Sequence, residues 1–268
     1  MINERHFGSW QQLEEAVREL ALKTATEGDS SPSNRLLYRG HGSDCWDLQT
    51  TLERRTPPMR KLFEYYRLVA KLQPQIASFV PREWPAVDLV EAEKASTSRD
   101  GLNFRRLPSY EYLAYLRHHA FPSPLLDWSR SLYVATFFAC RRPTSARVAH
   151  LVYQDPAGIG KSDFGGTFGG TARIHKYGHL VAPHARHALQ QSEYTMAVRW
   201  VDGGWEVVPH AEVTNRGIAG QDSMWKFTMP SSEAPGVLRK LDEYNLNAFS
   251  LFQGEDALME TLSQRESA

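Results

Sequence analysis

Phe121-Pro-Ser-Pro-Leu-Leu-Asp-Trp-Ser129, followed after Arg130-Ser131 by the apolar run Leu132-Tyr-Val-Ala-Thr-Phe-Phe-Ala-Cys140, decides how this chain is read. The two prolines mark a turn. Asp127-Trp-Ser129 then closes a short strand, and Ser131 to Arg142 reads as a helix, with Ser129 placed as its N-cap. Another helix, Tyr110 to His119, precedes the turn. The apolar run is far shorter than the ~20 residues a membrane span requires, so it belongs to a folded core.

The flanking sequence extends the same alternation. Gln11 to Lys23 sets Leu13, Val17, Leu20 and Leu22 at helical spacing among charges. Ala25 to Asn34 is a Gly/Ser/Pro loop, and Arg35 to Gly42 a short strand stopped by glycines. Met59 to Phe79 reads as a helix that Pro74 should kink or end. Pro81 to Leu107 reads as an irregular, charged and flexible insertion. Downstream, Arg147 to Tyr153, Tyr194 to Trp200, Trp205 to Val208, Met224 to Met229 and Ala248 to Phe252 read as strands. Pro235 to Tyr244 and Asp256 to Leu262 read as helices. Gly158 to Gly170 holds six glycines in thirteen positions, which predicts a mobile loop. No internal repeat or long linker interrupts the chain, so the expectation is one α+β domain over 1–268.

With 268 residues, 41% of them hydrophobic, the chain has enough apolar content for a substantial core. Lys+Arg and Asp+Glu are equal at 31 each, which argues against a protein that holds nucleic acid mainly by net charge. Cys45 and Cys140, the only cysteines, make neither a disulfide framework nor a thiolate metal cage. With no apolar segment in Met1 to Gly8, the expected setting is the cytoplasm, away from membranes.

Several motifs are set aside. Gly160-Lys-Ser162 invites a phosphate-loop reading, but Asp155 stands where the pattern needs glycine, and no helix opens after it. Asp163-Phe-Gly165 lacks the other kinase signatures. His175, His179, His184 and His187 lack the spacing of a zinc site, so no metal is expected.

Three segments remain. In Tyr38-Arg39-Gly40, an arginine on an apolar strand needs an anionic partner. Its planar fork suits a phosphate or carboxylate, and on this segment alone an internal ion pair is favoured. Ser129 presents a hydroxyl between strand and helix, for which plain N-capping is a strong explanation, and both roles can hold together. Gln191 and Glu193 lie just before a strand, where alternation puts both on one face; taken alone, that is an exposed strand end.

Together these segments resemble the FRG domain. The resemblance lies in Tyr38-Arg-Gly40, Trp46-x-Leu48, His118-x-x-x-Pro-Ser123 with Leu125-Leu-Asp-Trp-Ser129, and Ala135-x-Phe-Phe-Ala139. It continues through Arg186-x-x-x-Gln-Gln191 with Tyr194-Thr195 to Asn245-Leu-Asn-Ala-Phe-Ser-Leu-Phe252, spanning about 35–262 as a core after an N-terminal helix and loop (1–34). The order of arginine, serine and Gln-x-Glu is also similar to that of ADP-ribosyltransferases. That second resemblance implies a mixed or antiparallel β core with flanking helices, and NAD as substrate. It also implies a role for each residue. Arg39 would hold the NAD phosphates, Ser129 orient the nicotinamide ribose, Glu193 contact its 2′-hydroxyl, and Gln191 lie near the acceptor. Tyr38, Gly40, His119 and Trp128 would complete the NAD-binding set.

The residue types suit that chemistry. Breaking the nicotinamide–ribose bond builds positive charge on the sugar, as in glycoside hydrolysis, and a fixed carboxylate stabilises it. The expected function is therefore ADP-ribosyl transfer from NAD to a macromolecule, protein or nucleic acid, by a bacterial toxin or antiviral effector with a neutralising antitoxin-like partner. NAD hydrolysis at the same site and a non-catalytic module binding nucleotide, nucleic acid or protein are the alternatives.

Overall fold

A computed structural model describes residues 2–27, 36–55, 59–99, 102, 107–154, 172–178, 185–214 and 222–266. In chain order the elements are β1 (Asn3–His6), α1 (Trp10–Glu27), β2 (Leu37–His41), α2 (Leu62–Phe79), α3 (Leu89–Thr97), α4 (Tyr110–His118), β3 (Leu126–Ser129) and α5 (Leu132–Arg141). They continue as β4 (Arg147–Gln154), β5 (Arg173–Tyr177), α6 (Ala185–Leu189), β6 (Ser192–Val201), β7 (Gly204–Val207), β8 (Ser223–Pro230), α7 (Ala234–Glu243), α8 (Ala248–Phe252) and α9 (Glu255–Glu266). Among the described residues the strands form one mixed sheet in the order β1-β8-β4-β2-β3-β6-β5, with β7 also on β6. Only β1–β8 is parallel; the other pairs are antiparallel. The expected α+β class with a mixed sheet and flanking helices is what the fold has.

One face of the sheet carries two apolar clusters. Val148, Val152, Phe227 and Met229 pack beneath α1, α5 and α7. Tyr177, Tyr194, Met196 and Val198 pack beneath α2 and α4. The register Val152–Tyr38–Ser129–Ser192 puts both clusters on the same side, because cross-strand partners share a face. Leu37, Leu126, Trp128 and Leu151 form a third cluster on the other. The boundary between the two helical groups runs over β2 and β3, and there the sheet opens.

Most predicted elements are present, with four differences. Ala248–Phe252 is a helix: Asn247 and Ser250 form a reciprocal capping box, and so short an apolar run carries no clear period of its own. Pro81 to Leu107 contains α3, whose first turn is capped by Asp88 accepting from Val90 and Glu91. Its buried Ala92, Ala95 and Ser96 form the face turned to α2 and β7. Pro74 lies inside α2, and the helix continues to Phe79. The cap of α5 is Ser131, which accepts from Val134 N; Ser129 remains in β3. Strands β1 and β5 and helix α6 had no clear sequence signal. The Gly158 to Gly170 segment, Arg35, His179 and His184 lie outside the described residues.

Candidate functional site

β2 and β3 share a single registered pair, Tyr38↔Ser129, whereas β2 and β4 share five. Beyond that pair the strands part. Arg39 fills the gap: its Nη1 donates to the backbone carbonyl of Asp127 at 2.7 Å and to Asp127 Oδ1 at 2.9 Å. A guanidinium thus takes the place of a ladder hydrogen bond, leaving no stranded carbonyl. Arg117, at the end of α4, donates to the same Oδ1. Burial pushes the Asp127 carboxyl up, but Arg117 and Arg39 outweigh it and hold it well below the ordinary carboxylate range.

A cavity of about 280 Å³ opens at this parting. Tyr38 and Ser129 belong by alternation to one face of the sheet, and Arg39 and Trp128 to the other. All four line the cavity because the strands have separated. Helix α5 roofs it, contributing Ala135, Phe138 and Arg141. That close crossing explains the glycines of Arg39-Gly-His-Gly42. A Cβ on Gly40 would lie 1.9 Å from the Ala135 carbonyl oxygen and 2.5 Å from Ala139 N. One on Gly42 would lie 2.6 Å from the Arg142 carbonyl oxygen. Gly40 therefore borders the cavity, but its missing side chain admits a helix.

Two neutral histidines flank the arginine. His41 Nε2 accepts from Arg39 Nε at 3.2 Å, so its proton is on Nδ1. Burial and then the Arg39 charge push His41 down to about 3. Thr195 Oγ1 accepts from Trp128 Nε1 at 2.8 Å and turns its own proton to His210 Nε2, also 2.8 Å away. Burial and then Arg39 push His210 down to about 3. Neither ring adds charge to the cleft, so the positive sign comes from arginine.

The remaining predicted residues divide. Ser129 lines the cavity, but its hydroxyl is committed to backbone, donating to Gln190 O at 2.8 Å and accepting from Ser131 N at 3.0 Å. Glu193 lies on β6 opposite Trp128 in register and is 7% exposed. Its Oε1 is 3.9 Å from Arg130 Nε, and its Oε2 is buried with no partner among the described residues. The neighbouring Ser192 is on the cavity wall; Glu193 does not line it. Gln191 does not share its face. It is exposed in a left-handed turn (φ 49°) that breaks strand alternation, and Gln190 borders the cavity instead. His119 ends α4 away from the wall, its ring 4.3 Å from that of Tyr115.

Asp127 and Arg117 belong to the site although the sequence patterns above give neither a role. The signal was present: a carboxylate in Leu-Leu-Asp-Trp needs a cation as much as Arg39 needs an anion. Among the described residues no group of three His, Cys, Asp or Glu side chains is placed to hold a metal, and no helix is long and apolar enough to cross a membrane. Both cysteines are free, Cys45 exposed and Cys140 buried.

The parted strands, the Arg-Gly segment and the Leu-Leu-Asp-Trp-Ser strand all lie in the stretch that decides the family comparison. Residues 34–147 match the FRG domain. The FRG segment thus includes β2, β3, α4 and α5, with Arg39, Arg117, Asp127 and Ser129. It ends at Arg147, so β6, with Gln191 and Glu193, lies beyond it. No curated protein and no solved structure matches the chain.

Proposed function

We propose that the cleft binds NAD and that the chain is an ADP-ribosyltransferase. The observation that carries this reading is that Arg39 and Ser129, far apart in sequence, line one cavity, with Glu193 one register position away on the adjoining strand. At about 280 Å³ the cavity is just below the ~300–1,000 Å³ of ligand pockets, and suits one end of a dinucleotide. A second cavity of about 670 Å³ shares Arg141 and Arg142 as wall residues and offers a course for the rest.

In this reading Arg39 orients the pyrophosphate, and that fixes where the reacting ribose lies. The C1′–N bond breaks with its electron pair leaving on nicotinamide. An acceptor lone pair then forms the new bond to C1′, and the acceptor sheds its proton. The Glu193 carboxylate opposes the positive charge that develops on the sugar, and an oxygen with no partner among the described residues supports that role. The biological setting proposed is cytoplasmic, as a toxin or antiviral effector that modifies a protein or nucleic acid and is restrained by a neutralising protein.

Glu193→Gln is the test. It keeps shape and removes charge, so folding and NAD binding should survive while transfer falls by roughly 100- to 1,000-fold. The assay uses labelled NAD and cell lysate, with separate nuclease and protease digestion to identify the acceptor. Glu193 does not line the cavity, which favours one other reading, a nucleotide-binding module without catalysis. A wild-type chain that binds NAD without consuming it selects that reading, whereas Glu193→Gln turnover equal to wild type removes Glu193 from the chemistry.

A further inference from the structure

Two guanidiniums converge on one carboxylate oxygen at the β2–β3 parting. Arg39 Nη1 and Arg117 Nη2 both meet Asp127 Oδ1. The arginine side chains are only 17% and 12% exposed, whereas that of Asp127 is 42% exposed and lies on the cavity wall. The group therefore carries one positive charge in excess, held under its own anion. Arg117 Nε is buried with no partner among the described residues. His41 and His210 beside it are neutral and leave the surplus in place. Two buried cations sharing one anion are under-compensated, and a second anion in the cavity corrects that imbalance.

We infer that Arg117, which does not line the cavity, supplies the charge surplus that makes this cleft a pyrophosphate site, with Asp127 the positioning residue that holds Arg117 and Arg39 together. Arg39 alone would be neutralised by Asp127 and offer a dipole; with Arg117 behind it, the pair presents a net cation to the incoming phosphates. The inference rests on the reading that the cleft takes a nucleotide, and it names the part of the nucleotide held there.

The test titrates ADP-ribose calorimetrically into the full chain. Arg117→Gln should weaken binding by about tenfold, the order expected when one charge behind a site is lost. The double variant Arg117→Gln/Asp127→Asn restores the net charge of one and should return the affinity to within about threefold of wild type, whereas a purely structural role predicts further loss. If Arg117→Gln binds like wild type, or the double variant is not rescued, the inference is overturned. If Arg117→Gln does not fold, the double variant decides alone by the same threshold. Inorganic pyrophosphate separates the two readings. Wild type that binds pyrophosphate but not ADP-ribose, with the same pattern among variants, leaves the anion site standing and removes the NAD reading. Wild type that binds neither removes both.

Discussion

The β4–β8 and β2–β3 seams belong to one sheet and differ in almost every respect. β4 and β8 hold register without a break from Arg147↔Pro230 to Gln154↔Ser223, with Val148, Val152, Phe227 and Met229 buried along one face. There the ladder and apolar burial reinforce each other at every second residue. β2 and β3 keep one pair and then part around Arg39 and Asp127. A guanidinium between two strands satisfies the carbonyl the ladder would have used, so opening the sheet costs little hydrogen bonding. A charged pair in mid-sheet makes a cleft where an apolar pair would have closed it.

The largest effect expected along these seams is at the glycine that lets α5 cross β2. Gly40→Ala puts a Cβ against backbone atoms, which cannot rotate aside. Overpacking of that kind should cost about 3 kcal/mol or more, lowering Tm by roughly 6–12 °C in a thermal melt. An unchanged Tm would mean that α5 does not sit as close to the cleft as described.

Acid comes next, because His41 in the seam, His210 behind it and His150 on β4 are all held neutral down to about 3. The cause at His150 is burial alone: its ring lies 5.8 Å from that of Trp10, and neither ring nitrogen has a partner among the described residues. Unfolded, each takes a proton near 6.5, so between 6.5 and 3 the unfolded chain binds more protons. Stability is therefore full above about 6.5 and falls as pH drops toward 3, by up to ~1.4 kcal/mol per pH unit for each histidine. Asp127 acts in a lower window, stabilising above its ordinary value of 3.8 and losing that contribution as pH falls further. Urea unfolding at pH 7.5 and pH 5 should show the drop, and His150→Phe should reduce it while leaving the part that belongs to the cleft.

Trp128→Phe probes the seam more gently. It removes the donor to Thr195 and should cost about 1–3 kcal/mol by urea unfolding. Equal stability would mean that the Trp128–Thr195 hydrogen bond contributes nothing to the seam. The smallest effect is at Gly178, where an added Cβ meets nothing within 4 Å. Gly178→Ala should leave Tm within about 1 °C of wild type, since a substitution that displaces no neighbour typically falls within ±0.5 kcal/mol. A larger shift there would weaken the contrast with Gly40.

Much of the fold was legible because periodicity and punctuation are local. Leu13, Val17 and Leu20 announced α1, and Gly42 announced the end of β2. Ala248 to Phe252 reads as a strand and folds as a helix because four apolar residues around one serine fit either, and the deciding contact is the side-chain exchange between Asn247 and Ser250. At the site, alternation put Gln191 beside Glu193, and one left-handed residue undid it.

By itself, the sequence determined that Arg39 needs an anion and that a strand and helix meet at Asp127-Trp-Ser129. Burial cost is a property of the residue type, and turns are set by nearest neighbours. Only the tertiary structure decided that the anion is Asp127 and that Arg117 shares it. It also decided that Gly40 makes way for a helix and that the strands part at this point. Each of those depends on which distant segment arrives beside the residue, and electrostatic and steric terms act through space with no regard for separation along the chain.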